Sequence, residues 1–158
     1  MKEMSRIVRT VTNFVYGFII IFGFYIIAHG HLTPGGGFQG GAVVASAFAL
    51  LLISYGRLIT KKFLKKDIIS ITESCGLTMF IVVAFLGLGI TFFYNFLANS
   101  GSWFGNAAVI GVNPGDMNTG GVIPLMNIAV GLEVLSALGV IVLIMAGGAE
   151  FTKKKENS

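Results

Sequence analysis

Apolar residues along this chain fall into four long blocks, broken only by short polar, basic or glycine-rich stretches. The first block runs over 7–28, the second over about 38–55, the third over about 68–97 and the fourth over about 121–146. Crossing the roughly 30 Å of a hydrocarbon layer takes about 20 helical residues, so each block is long enough to span a membrane as a helix. The third has residues to spare, which lets it tilt or project from the bilayer. The first block is too long for the apolar part of a cleaved signal peptide and lacks a small-residue cleavage site before a soluble domain. The pattern predicts an all-α integral membrane protein, a bundle of four transmembrane helices. A single transmembrane domain covers 1–150, and a short charged tail over 151–158 is expected to fray. Neither internal repeats nor coiled-coil heptads interrupt this plan.

Composition supports the membrane reading. Of 158 residues, 54% are hydrophobic and only 11% are charged. Soluble domains carry about 25% charged residues, which argues against an aqueous fold. The net charge of +4 does not point to nucleic acid, because the cations are grouped at the block boundaries. Lys2, Arg6 and Arg9 form one patch, Arg57, Lys61, Lys62, Lys65 and Lys66 a second, and Lys153, Lys154 and Lys155 a third. With four spans, all eleven lie on the side of both termini. The 29–37 turn and the 98–120 loop, on the other side, hold none. The positive-inside rule therefore places both termini in the cytoplasm of a multi-pass cell-membrane protein. Cys75 is the only cysteine, so no disulfide framework exists, and its apolar surroundings suggest a buried packing role.

The boundary between the first two blocks is unusual. His31-Leu32-Thr33-Pro34-Gly35-Gly36-Gly37-Phe38-Gln39-Gly40-Gly41-Ala42 carries five glycines between Leu32 and Gly41. Each interior glycine costs a helix about 1 kcal/mol relative to alanine, so this density needs a reason. It lacks the Gly-Lys-Ser/Thr ending of a phosphate-binding loop and follows no strand. Gly36/Gly40 and Gly37/Gly41 are spaced for close helix packing, and Ala42, Ala45, Ser46 and Ala49 extend the small positions. An irregular backbone lining a cavity is the other reading. In the opposite loop, Tyr94, Trp103 and Phe104 suit an interfacial aromatic belt, and Pro114-Gly115-Asp116 reads as a turn. Pro124 falls near the start of the fourth helix, where its missing N–H is tolerated.

Glu133 is the foremost candidate for chemistry, because it lies near the middle of the fourth span. A charged side chain at that depth costs about 2.5–3.5 kcal/mol on insertion scales and normally faces protein or water. Nothing basic in this chain reaches it, so its partner lies on another subunit or the carboxyl carries a proton. Met126, Ala129, Val130, Ser136, Ala137 and Val140 share its face at helical spacing. It serves either an ion route or a structural hydrogen bond. Glu73, two turns from Lys65 and Lys66, is either an interfacial acid paired with these lysines or the inner mouth of the same route. Asp67 fits a helix N-cap. Asp116 fits a turn. His29 and His31 lie at the outer end of the first helix, as satisfied interfacial polar groups or as a proton relay. At i and i+2 they point apart on a helix and do not make a metal pair, and no facing helix offers a second haem ligand.

The glycine-rich segment, the four spans and the Asn113-Pro114-Gly115 to Gly120-Gly121 region before the glutamate-bearing helix together resemble the MnhB (MrpB) family. This is the B subunit of multisubunit Na+/H+ antiporters. The resemblance covers nearly the whole chain, and the 31–42 segment is its specific part. It implies one membrane subunit of a large complex that couples proton movement to sodium movement, with other membrane subunits and the bilayer as partners. Related subunits occur in the ion-pumping modules of archaeal membrane-bound hydrogenases and sulfur reductases. Without a cysteine cluster for iron–sulfur centres or a nickel motif, this chain is expected to hold no cofactor and no metal, and redox chemistry would belong to other subunits. Pro34, Gly35, Gly36, Gly37, Phe38, Gln39, Gly40 and Gly41 are then expected to serve subunit packing, and Glu133, Glu73, His29 and His31 an ion route. A purely structural scaffold and a haem- or quinone-binding membrane anchor are the competing classes. The charge asymmetry makes a direct prediction: an impermeant amine reagent applied to intact cells leaves the lysines of both tails unmodified, and modification of either tail contradicts the assigned orientation.

Overall fold

A computed structural model describes residues 4–57, 60, 65–107 and 116–156, with the side chains of Lys66 and of 149–156 outside that description. Helix α1 spans Arg6–His29 and α2 spans Gly37–Tyr55. Helix α3 spans Lys66–Leu86, followed by a 3-10 turn over Gly87–Gly89, and α4 spans Ile123–Glu156. No strand occurs among the described residues. Each of the four helices contains a stretch long and apolar enough to cross a membrane, so the chain is a multi-pass membrane protein.

The helices stand in the order α1, α2, α4, α3, with α4 in contact with all three others and α3 packed principally on α4. Glycines set this arrangement. A Cβ on Gly40 would lie 2.7 Å from the Gly23 carbonyl oxygen and 2.9 Å from the Ile27 nitrogen, so α1 and α2 touch backbone to backbone. On the other side of α2, a Cβ on Gly41 would lie 2.9 Å from the Gly131 carbonyl oxygen, and one on Gly37 would strike the Asn127 carbonyl. The glycine-rich segment therefore packs α2 between α1 and α4 of the same chain. Pro34, Gly35, Phe38 and Gln39 remain exposed on its outer side. Gly35 and Gly36, with φ of +145° and +143°, hold a conformation that side-chain-bearing residues rarely adopt, which turns the chain into α2.

Polar contacts close the end of the bundle that carries the termini. The Thr12 and Ser54 hydroxyls lie 2.5 Å apart, the Tyr55 hydroxyl donates to Asn13 Oδ1, and the Met4 N–H donates to the Ser54 carbonyl at 3.0 Å. A cluster of Leu52, Ile69, Leu143 and Ala146 packs α2, α3 and α4 together nearby. The start of α1, the end of α2, the start of α3 and the end of α4 thus share one end, as alternating spans require.

Four expectations are corrected here. The third span does not run helically to Leu97. Gly87 and Gly89 weaken the helix, Phe93 turns with φ +65°, and its N–H donates to the Ala84 carbonyl at 3.2 Å, so the chain folds back on the helix end. Ring contacts of Phe80 with Phe93 and of Phe85 with Phe92 fill the fold-back. Asp67 is not an N-cap: Lys65 holds the extended cap conformation and Asp67 lies in the first turn, where a carboxylate complements the helix dipole. Cys75 is exposed beside Ser74 and Thr78, because α3 has α4 on one side only. The C-terminal tail is helical to Glu156, in continuity with α4. The turn expected at Pro114-Gly115 lies outside the described residues, as do Lys61 and Lys62.

Backbone-to-backbone packing makes a sharp prediction. Gly40→Ala is expected to destabilise the bundle by about 1–3 kcal/mol through overpacking. Gly17→Ala, with nothing within 4 Å of its added methyl, should be neutral or gain up to about 1 kcal/mol from helix propensity. Unfolding of the two variants in detergent measures the difference, and equal stability contradicts the packing account.

Candidate functional site

Helix α4 presents two opposite faces to its neighbours. Asn127, Val130, Gly131, Val134 and Leu135 meet the glycines of α2, whereas the Ala129 carbonyl and the Glu133 backbone meet Gly76 of α3. A Cβ on Gly76 would lie 2.7 Å from the Ala129 oxygen and 2.8 Å from the Glu133 nitrogen, so α3 and α4 cross in contact at the acid. Glu133 itself is half-buried at that crossing. One turn further on the same face, Ser136 is fully buried and its hydroxyl has no hydrogen-bond partner among the described residues. Glu73 lies three residues before Gly76 on α3, also half-buried. The two span acids expected to work together therefore belong to one helix seam. Of the two lysines expected to pair with Glu73, Lys65 makes no ion pair with it among the described residues, and the side chain of Lys66 lies outside that description.

The histidines lie elsewhere, around the turn between α1 and α2. His29 ends α1, with its ring stacked on Tyr25 at a centroid distance of 4.2 Å. His31 Nε2 lies 3.1 Å from the Met117 carbonyl oxygen, which ties the turn to the segment before α4. Nδ1 of each ring is buried without a hydrogen-bond partner among the described residues, which departs from the satisfied interfacial groups expected. Gln39, at the start of α2, brings its Oε1 within 3.5 Å of where a Gly36 Cβ would sit.

Two polar residues that sequence reasoning passed over organise this end. Asn95 lies in the fold-back after α3; its Oδ1 accepts from the Val122 N–H at 2.9 Å and its Nδ2 donates to the Gly120 carbonyl at 3.2 Å. It thereby pins the start of α4, and it was hidden because its segment was read as membrane helix. Asn127 occupies the first turns of α4 and sets its carboxamide against Gly30 and Gly36. The signal for it was present: it is the only amide side chain in the fourth apolar block. Asn127 and Glu133 are six residues apart, about 9 Å along the helix axis. Acids and histidines thus form two separate polar positions, one at the α3–α4 crossing and one at the interhelical turn. No group of three or more His, Cys, Asp or Glu placed to hold a metal occurs among the described residues.

A family model described as a domain related to the MnhB subunit of Na+/H+ antiporter matches residues 7–140, which takes in the first three spans, the glycine turn and α4 as far as Val140. The chain belongs to the MnhB family. A Methanocaldococcus jannaschii relative, itself uncharacterized, is 34% identical over 148 residues, covering 91% of this chain and 53% of its own length. A Staphylococcus aureus protein that carries the name antiporter subunit mnhB2 is 46% identical over 55 residues, 35% of this chain and 39% of that protein. Among solved structures, a chain of the membrane-bound sulfane sulfur reductase, an archaeal respiratory membrane complex, superposes with a TM-score of 0.75 at 32% identity, over 91% of this chain and 59% of that one. This MnhB-family chain therefore spans little more than half the length of the larger relatives it matches.

Proposed function

We propose that this chain is a non-catalytic membrane subunit of an ion-translocating complex of the Na+/H+ antiporter type, and that Glu133 forms part of its ion route. The observation that carries the reading is the placement of Glu133, a carboxyl in mid-span at the contact of two helices. Such an acid is costly in lipid and is kept where it exchanges protons or cations or meets a partner. Glu73 on the same seam extends the route toward the end that carries the termini, which the basic patches assign to the cytoplasm. His29 and His31 stand at the opposite end as proton-handling groups. No cofactor is required of this chain, and redox chemistry in a host complex belongs to other subunits.

Partner subunits have ample surface to meet. Only 17% of the best apolar window of α1 and 22% of that of α3 is buried inside the chain, which leaves both helices open to lipid and neighbouring subunits. Phe38, 60% exposed beside the buried glycines, offers an anchor on the signature segment. A second host is favoured by the likeness to the sulfur reductase chain: the same kind of subunit within the ion-pumping module of a respiratory complex. Iron–sulfur proteins co-purifying with a tagged chain favour that host, and membrane subunits alone favour the antiporter.

Glu133→Gln preserves shape and removes the charge. It is expected to lower sodium-dependent proton movement in everted vesicles at least about tenfold, the size of effect that a lost coupling of about 1.4 kcal/mol produces, while the complex still assembles. Full transport in that variant leaves Glu133 a structural role only, and failure of assembly with normal transport in the fraction that does assemble supports the scaffold reading instead.

A further inference from the structure

The apolar stretch after α3 is neither membrane helix nor core. A Cβ on Gly87 would lie 2.5 Å from the Tyr94 nitrogen and 2.9 Å from the Tyr94 carbonyl oxygen, so the chain returns onto the end of its own helix. Gly105 packs on the Leu97 carbonyl, which gathers 97–105 into a tight loop. The apolar side chains here do not serve the interior. Leu88, Ile90, Phe92, Tyr94 and Phe96 are exposed, and Trp103, at 84%, is the most exposed large apolar side chain among the described residues. No Lys, Arg, His, Asp or Glu occurs from 87 to 105. The backbone, by contrast, is paired within the segment. The N–H groups of Ile90, Phe93, Tyr94, Phe96 and Ala98 donate to the carbonyls of Gly87, Ala84, Thr91, Tyr94 and Asn95. Internal pairing of this kind lets a non-helical segment leave bulk water. Depth follows from the helix. Ala84, whose carbonyl holds Phe93, stands eighteen residues beyond Lys66, about 27 Å along the axis. A hydrocarbon layer is roughly 30 Å thick, so the fold-back lies at its far boundary.

We propose that residues 87–105 form an interfacial platform that seats in the headgroup–acyl boundary of the leaflet remote from the basic patches, with lipid as its partner. Three features favour lipid over another subunit. The platform carries no charge with which to select a protein partner. Its apolar surface continues that of the last turns of α3, where Val82, Phe85 and Leu86 are exposed. Tyr94 and Trp103 are rings with a polar tip, suited to a layer that is apolar on one side and wet on the other. The shaft of α3 remains open to other subunits. Anchoring this end also fixes α4. Asn95, within the platform, bonds the Val122 N–H and the Gly120 carbonyl, and the Gly121 N–H donates to the Phe104 carbonyl at 2.6 Å. The start of α4 is therefore tied to the same boundary. Glu133 lies ten residues beyond Ile123, about 15 Å along the axis, so the anchor holds the acid near the middle of the layer. The anchor stands whether or not Glu133 carries ions.

The test reads two positions. Trp103 is the only tryptophan, so fluorescence of the full chain in phosphatidylcholine vesicles reports the loop alone. Lipids brominated high on their acyl chains are expected to quench Trp103 more strongly than lipids brominated near the chain ends, and acrylamide in the water is expected to quench it weakly. In the complex purified through a tag on this chain, a photoactivatable benzoyl-phenylalanine in place of Ile90 is expected to yield lipid adducts by mass spectrometry. Ile90 is 67% exposed, so its replacement leaves the fold intact. Strong acrylamide quenching with indifference to brominated lipid overturns the proposal, as does stronger quenching from the chain ends. An adduct between position 90 and another protein subunit overturns it as well and gives the face to that partner.

Discussion

Direct contact of helix backbones is the constraint on which this bundle rests. Lipid tails are as apolar as leucine, so no hydrophobic force drives membrane helices together, and close packing has to do it. Here α2 lies between α1 and α4 with Gly40 turned to one and Gly37 and Gly41 to the other, and no side chain fits at any of the three contacts. The weak helix propensity of the three glycines inside α2 is tolerated because van der Waals contact along two seams offsets it. The same residues lie in the segment on which the resemblance to the MnhB family was drawn, and in this chain they form the surface by which one helix is clasped on two sides.

The two halves of the bundle are unequal in consequence. Helices α1, α2 and α4 are locked by glycine, and α1 and α2 are clipped together at one end by Thr12, Ser54, Asn13 and Tyr55. Helix α3 rests chiefly on α4, and the two touch backbone to backbone at Gly76. Glu133 belongs to that crossing, so the acid lies beside a helix that packs chiefly on one neighbour and keeps most of its surface for other subunits. An ion route placed there would run along the border of the subunit, shared with whatever covers α3, instead of through its centre. Ser136, buried one turn away with no hydrogen-bond partner for its hydroxyl among the described residues, adds polarity to the same region of α4.

The spans of α1 and α2 were legible to within a residue, because unbroken apolar runs ended by glycine or basic patches leave little choice. The third was misjudged at its far end: Phe92, Phe93 and Tyr94 look like membrane helix by hydropathy, and only the tertiary fold-back against Ala84 shows that they are a cap. Glu133 and Glu73 could be singled out as costly acids, but their sharing of one seam depends on Gly76, whose role is set by a helix far away in sequence. Asn127 and Asn95 escaped notice because an amide in an apolar run is a faint signal until its partners are in view. The histidines were identified, yet the partner of His31 Nε2 is the Met117 carbonyl, which no side-chain pattern announces.

The central claim, that Glu133 exchanges protons and cations within an assembled complex, is tested most directly by a hydrophobic carbodiimide. This reagent modifies protonated carboxyls in apolar surroundings. The account predicts that Glu133, read by mass spectrometry in the intact complex, is modified, and that sodium protects it in a concentration-dependent way. Modification indifferent to sodium, or a Glu133 inert under all conditions, would contradict it.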